Sequence, residues 1–207
     1  MRSGGFLFFL WDCFVKALYW INAVEILKMV SRFIARNILK CNSDDAQRCA
    51  SNIAIDVYIV LKWFFIIMLW KFRVASLLFE VIVWYLVATN LYTYFYYHVW
   101  GDSRFKNTIT REKVKLRFFK SILAFAFYVV CFAYMYDVVY PHSTNFRGGS
   151  PIDFLSFSLC TALVTSLGDY SITGSSGMML YTLQVLNTFF FVNMIISQTI
   201  PSETVKE

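Results

Sequence analysis

Proline occurs three times in 207 residues and glycine eight times, too few for long linkers or low-complexity coil. Histidine occurs twice, at His98 and His142, far apart in sequence and not in a ligand cluster. The five cysteines, at 13, 41, 49, 131 and 160, form no C-x-x-C pair, and Cys131 and Cys160 fall inside apolar stretches. They read as free thiols behaving as small hydrophobes, which argues against a zinc site or a disulfide framework. No G-x-S-x-G or H-E-x-x-H run is present, so no nucleophile–base or metal motif speaks for an enzyme. Charged residues make up only 15% of the chain. The formal net charge of +6 comes from basic residues that flank apolar runs, which points to anionic lipid headgroups and away from nucleic acid.

What remains is hydrophobic. The apolar fraction is 58%, the aromatic fraction 20% with 22 phenylalanines, and the mean hydropathy +0.56, outside the range of soluble domains. The chain reads as an all-α integral membrane protein with about four transmembrane helices. Residues 1–50 form an N-terminal helical region, 51–100 a transmembrane hairpin and 101–117 a basic linker. Residues 118–200 are the largest membrane unit, and 201–207 a short tail.

In the first region the apolar block Phe6–Trp11 is interrupted by Asp12, Lys16, Asn22 and Glu25. Asp12 and the lack of a small-x-small cleavage site argue against a cleaved signal peptide. Asp12 and Lys16 stand four apart and can pair on one helical face. Whether residues 5–27 span the membrane stays open. Lys28, Arg32, Arg36 and Lys40 recur every four residues against Met29, Val30, Phe33 and Ile34. This is a basic amphipathic helix in the headgroup plane, binding anionic lipid, or a solvated face on a packed helix.

Asn42-Ser43-Asp44-Asp45 is a helix start, and the span that follows it is Ile53–Trp70, closed by Lys71 and Arg73. The second, about Val74 to Tyr97, ends in an aromatic girdle from Tyr92. Asp56, Lys62 and Glu80 lie within these spans and should face protein or one another. Asp56 and Lys62 fall on nearly opposite sides of one helix, whereas Lys62 can reach Glu80 across the hairpin. The three form a sensor-like charge network, or a structural ion pair with snorkelling. No arginine recurs at every third position of a span, so no moving voltage-sensor helix is indicated.

Arg104, Lys106, Arg111, Lys113, Lys115, Arg117 and Lys120 outnumber Asp102 and Glu112 in the linker, which places it in the cytoplasm. Residues 140–150 carry only Arg147 and belong outside. A third span at about Leu116–Val139 and a fourth from Met178 then leave both termini cytoplasmic, in a multi-pass protein of the cell (inner or plasma) membrane.

Between those last two spans, Ser150 can cap a helix, with Pro151 at its first position and Asp153 over its free N–H groups. About a dozen helical residues follow, short of the roughly 20 needed to cross a bilayer. The chain then turns small and polar and returns as a long apolar helix. This is the layout of a re-entrant loop, with non-helical backbone that survives at membrane depth only against water or protein.

Here a resemblance enters. Thr165-Ser166-Leu167-Gly168-Asp169-Tyr170-Ser171-Ile172-Thr173 resembles the threonine–threonine–leucine–glycine–tyrosine–glycine–aspartate–isoleucine–threonine filter of two-helix-pore potassium channels. The similarity covers roughly Phe118 to Gln198. It departs where that family has tyrosine and glycine after the first glycine, since this chain has Asp169 and Tyr170. Glycine followed by aspartate is similar to the filter of weakly selective sodium- and potassium-conducting relatives. The resemblance implies a re-entrant pore helix and a filter at Thr165–Tyr170 conducting K+ or a mixture of K+ and Na+, without a cofactor.

One such loop supplies too few oxygens to replace a cation's hydration shell, so a homotetramer is expected. Gly168 is the residue suited to unusual dihedrals. Four Asp169 carboxylates either ring the outer mouth, where a divalent ion can sit, or bond back to the pore helix and stiffen the filter. Tyr170 leaves fewer ordered ion sites. On the last helix Gln184, Asn187, Phe191, Met194 and Gln198 form a stripe that either lines and gates a cavity or packs helix against helix. The competing expectation is a non-conducting membrane sensor or scaffold with a degenerate pore loop. A partner protein is compatible with either, and no motif states what would open the pore.

Overall fold

The computed structural model describes residues 5–37, 43–96, 111–145, 149–168 and 170–199. Among these the chain is helical throughout, apart from turns and one isolated antiparallel bridge between Thr144 and Ile172. The helices are α1 (Phe6–Ile21), α2 (Ala23–Asn37), α3 (Asp44–Lys71), α4 (Leu77–Phe95), α5 (Arg111–Tyr134), α6 (Pro151–Ala162) and α7 (Gly174–Thr199). A π-helical turn, Met135–Val139, extends α5. Three stretches are long and apolar enough to cross a membrane: Cys49–Lys71, Leu77–Phe95 and Phe118–Val139. α1 and α2, bent by 54° at their junction, add a fourth if the pair is one span. The three stretches fall within a few residues of the spans expected at 53–70, 74–97 and 116–139; α7, where the fourth was expected from Met178, is not among them.

The chain divides into two compact units, Met1–Phe65 and Ile66–Glu207. In the first, Asn22 ends α1 and starts α2. It is buried, its Oδ1 accepts the Val24 N–H at 3.0 Å, and its carbonyl accepts from Glu25 and Ile26. A side chain that bonds the backbone two residues on competes with the helix and breaks it. Lys16 meets Asp12 at 2.6 Å on α1, and Lys28 meets the buried Glu25 at 2.7 Å on α2. Ser43 caps α3 through its bond from the Ala46 N–H.

In the second unit α5 is the central stave: 67% of its apolar window is enclosed by protein, against 22% for α4. Lipid tails are as apolar as the helices, so helix association rests on close packing and on polar bonds between helices. Both are present. Asn90 donates to the Ala124 carbonyl at 3.0 Å and the Tyr94 hydroxyl to that of Lys120 at 2.7 Å, fastening α4 to α5. Ser158 on α6 donates to the Val129 carbonyl at 2.8 Å. Gln184 on α7 donates to both the carbonyl and the hydroxyl of Ser158, each at 2.8 Å. Tyr128 closes the circuit with its hydroxyl on the Gln184 carbonyl and 3.1 Å from the Thr188 hydroxyl. Rings fill the remaining space, with Tyr128 on Phe132 at 4.9 Å and Tyr136 on Phe157 at 5.1 Å.

Candidate functional site

α6 begins with a reciprocal cap. The Ser150 N–H and hydroxyl both donate to the Asp153 carboxylate, at 2.7 and 2.9 Å, and Pro151 takes the first helical position, as its fixed φ allows. Twelve residues give α6 a length of about 18 Å, well short of a bilayer core of about 30 Å. At its end Val164 turns left-handed (φ 55°), and the Thr165 N–H reaches back to the Cys160 carbonyl at 2.8 Å. This helix-ending turn normally uses glycine, because a β-branched residue is strained there.

The described residues between 165 and 173 then run without helix to α7, in two unlike parts. Residues 171–173 are pinned to the connector that follows α5. The Ser171 N–H donates to Asn145 Oδ1 at 2.9 Å, and the Asn145 N–H returns a bond to the Ser171 carbonyl at 3.0 Å. Thr173 donates its N–H to the Ser143 carbonyl at 2.9 Å and its hydroxyl to that of His142 at 2.7 Å. Gly177, in the first turn of α7, lies directly on the Ser143 carbonyl, which is why it carries no side chain.

Residues 165–168 are the opposite. Thr165, Ser166 and Gly168 are exposed, and Gly168 adopts φ 55°. The carbonyl oxygens of Thr165, Ser166 and Gly168 accept no hydrogen bond among the described residues, and only that of Leu167 is taken, by the Tyr170 N–H at 3.1 Å. Tyr170 is exposed as well. Asp169 lies outside the described residues.

α7 corrects one expectation. Gln184 and Phe191 do not line a cavity: both are buried within the second unit. Gln184 is bonded to Ser158, and Phe191 packs on Tyr94, Phe125 and Tyr128. Polar and bulky groups on one stripe found their partners on α4, α5 and α6, the helix-packing alternative for that stripe. Asn187, half-buried, bonds its own helix at the Leu183 carbonyl, and the side chains of Met194 and Gln198 lie outside the described residues. The exposed side of α7 is a different line, Ser175, Thr182 and Asn193, among Met179, Leu186 and Phe190. The spacings of seven and eleven residues that put those three polar groups on one face are the signal that was there to be read.

The charged residues sort into three settings. Asp56 is exposed and Lys62 buried in the first unit. In the second, Glu80 accepts the Tyr140 hydroxyl; burial foremost, then that bond and the carboxylate's charge, raise Tyr140 above the ordinary tyrosine value. Arg32 and Arg36 are exposed on α2 beside the exposed apolar residues Met29, Val30 and Phe33, and Lys40 lies outside the described residues.

A fourth charged group went unread in the sequence. Asp137, in the π-helical turn and 2% exposed, receives Arg73 Nη2 at 2.9 Å, Arg73 Nη1 at 3.3 Å and Trp70 Nε1 at 2.7 Å. It joins the turn between α3 and α4 to the end of α5. Among the described residues no three His, Cys, Asp or Glu side chains group as metal ligands would. No protein-family profile, characterised protein or solved structure matches this chain.

Proposed function

We propose that the chain is one subunit of a cation-conducting pore, with residues 165–170 as the conducting segment. The observation that carries the reading is the set of uncommitted carbonyls at Thr165, Ser166 and Gly168, exposed between a helix too short to cross a bilayer and a long one. In an otherwise helical membrane chain, bare backbone carbonyls are tolerable only against water, ions or protein. Rings of them from four copies around an axis would replace a cation's hydration shell. The carboxyl end of α6 delivers the negative end of its dipole to the inner side of the segment. Asp169, which lies outside the described residues, would add a carboxylate to the segment and with it a site for a divalent ion.

On this reading the permeant ions are K+ and Na+, and the face of α7 carrying Ser175, Thr182 and Asn193 turns to the central cavity in place of Gln184 and Phe191. The exposed apolar residues of α6 and α7 would meet neighbouring copies or lipid. The Arg73–Asp137 contact brings residues 71–76 and 137–145 to one end of the unit, which fits both lying outside a cell membrane with cytoplasmic termini. Arg32 and Arg36 beside an apolar stripe suit an anionic headgroup layer.

The test is the reversal potential of the purified protein in planar bilayers with K+ on one side and Na+ on the other. A value at the potassium equilibrium potential means a selective filter. A value near zero that follows total cation and ignores chloride means a non-selective pore. Silence from a verified tetramer across lipids and voltages defeats the proposal in favour of a non-conducting sensor or scaffold, the reading that the burial of Gln184 and Phe191 favours.

A further inference from the structure

Three contacts fasten the α3–α4 turn and the helix ends beside it to the end of α5. The first is the Asp137 carboxylate held by Arg73 and Trp70. The others are the Tyr134 hydroxyl on the Val74 carbonyl and the Tyr140 hydroxyl on Glu80. The Asp137 contact is the strongest of them: two guanidinium N–H groups and an indole N–H converge on one carboxylate, and a third guanidinium bond reaches the Asp137 backbone carbonyl at 3.4 Å. It is also made against the grain of the backbone. Arg73 adopts φ 49°, a region that L side chains rarely enter, and Asp137 sits in a π-helical turn, a local departure from α-helix. An ion pair buried on the Asp137 side alone is weak evidence for stability. What a fork-shaped pair does supply is a fixed geometry.

That geometry leads to the conducting segment. Eight residues after Asp137 the chain reaches Asn145. Along 142–145, three backbone carbonyl or amide groups and one side chain bond residues 171–173. The buried Ser143 and Thr144 hydroxyls have no partner among the described residues, so the connector's hold on 171–173 rests on those bonds. We infer that Asp137 is a positioning residue: through Arg73 and Trp70 it fixes the connector, and the connector fixes the outer end of residues 165–173. That these residues conduct rests on the pore reading; the mechanical link does not.

Hydrogen exchange of the full-length protein in lipid nanodiscs reads the link directly, because the Ser171 and Thr173 amides are themselves the bonds at issue. In Asp137→Asn and in Arg73→Gln, exchange in the peptide spanning Tyr170–Gly177 should quicken by about tenfold, with the amides of α6 and of mid-α7 unchanged. Trp70→Phe removes one bond and keeps the ring, and should give a smaller, equally local rise even if the charge variants fail to fold. Unchanged exchange at Ser171 and Thr173, or a rise spread evenly through α4, α6 and α7, overturns the inference. In a wild-type protein that conducts, the same variants should also shift the K+/Na+ permeability ratio. A protein that never conducts defeats the pore reading alone, and the amide result still decides the link.

Discussion

Replacing Gly177 by alanine sets two opposed effects against each other, and the structure gives the sign. By helix propensity alone the change, in the first turn of α7, stabilises by at most about 1 kcal/mol. But the added methyl would lie 2.4 Å from the Ser143 carbonyl oxygen and 2.8 Å from Ile172 Cγ2. The first contact is about 1 Å short of ordinary van der Waals distance. The obstructing atom is backbone, which cannot swing aside like a side chain. Overpacking of this kind costs about 1–3 kcal/mol. Pushing the Ser143 carbonyl away also loosens the bond it accepts from the Thr173 N–H at 2.9 Å, at a net cost of about 1 kcal/mol. The sum is a loss of about 1–3 kcal/mol. Reversible unfolding by SDS titration in mixed micelles measures it. Gly174, with φ 70° and nothing within 4 Å of an added methyl, is the control: alanine there should cost only about 1 kcal/mol, through the backbone strain it adds. A Gly177→Ala protein as stable as wild type, or more so, would refute the close approach of α7 to the connector.

Ser158→Ala removes the donor to Val129 and one of two acceptors for Gln184, and should cost about 2 kcal/mol in the same titration. Gln184→Met loses two bonds but also removes a buried amide oxygen that has no partner among the described residues, so its cost should stay within about 1 kcal/mol. Arg73→Gln should cost about 2 kcal/mol, less than a fully buried pair because the Arg73 side chain is 60% exposed and Trp70 remains on Asp137. Tyr170→Gly should change the K+/Na+ permeability ratio in bilayer recordings if residues 165–170 conduct, and leave a scaffold untouched.

The spans at Cys49–Lys71, Leu77–Phe95 and Phe118–Val139 were legible because a helix-forming apolar run as long as a bilayer is thick finds matching surroundings almost only in lipid. The start of α6 was legible because serine, proline and aspartate each answer a demand of a helix N-terminus. The direction of α7 was not. In a membrane both the lipid face and the packed face are apolar, so a stripe of polar residues announces protein or water without saying which. Gln184 and Phe191 found protein; Ser175, Thr182 and Asn193 lie exposed on the other side. Nor was Asp137 legible, because its partners stand 64 and 67 positions away and no local spacing connects them. The break at Asn22 hid for a related reason: one asparagine in an apolar helix pattern is ordinary until its side chain is seen on the Val24 N–H.

The unequal enclosure of the helices bears on how the protein is made. The stretches Cys49–Lys71 and Leu77–Phe95, enclosed by protein over only 17% and 22% of their apolar windows, could each be released by the insertion machinery straight into lipid. Phe118–Val139 differs, because it brings a carboxylate and a row of tyrosine hydroxyls with it. Chain order eases its entry. Trp70 and Arg73 leave the ribosome before Asp137 does, so a neutral donor and a neutralising cation are already synthesised when it arrives. The Gln184 carbonyl that will receive the Tyr128 hydroxyl has not yet been synthesised. For the interval between those two events α5 is satisfied at one end and waiting at the middle. The nascent chain truncated just before α7 therefore carries a Tyr128 hydroxyl without its Gln184 and Thr188 partners.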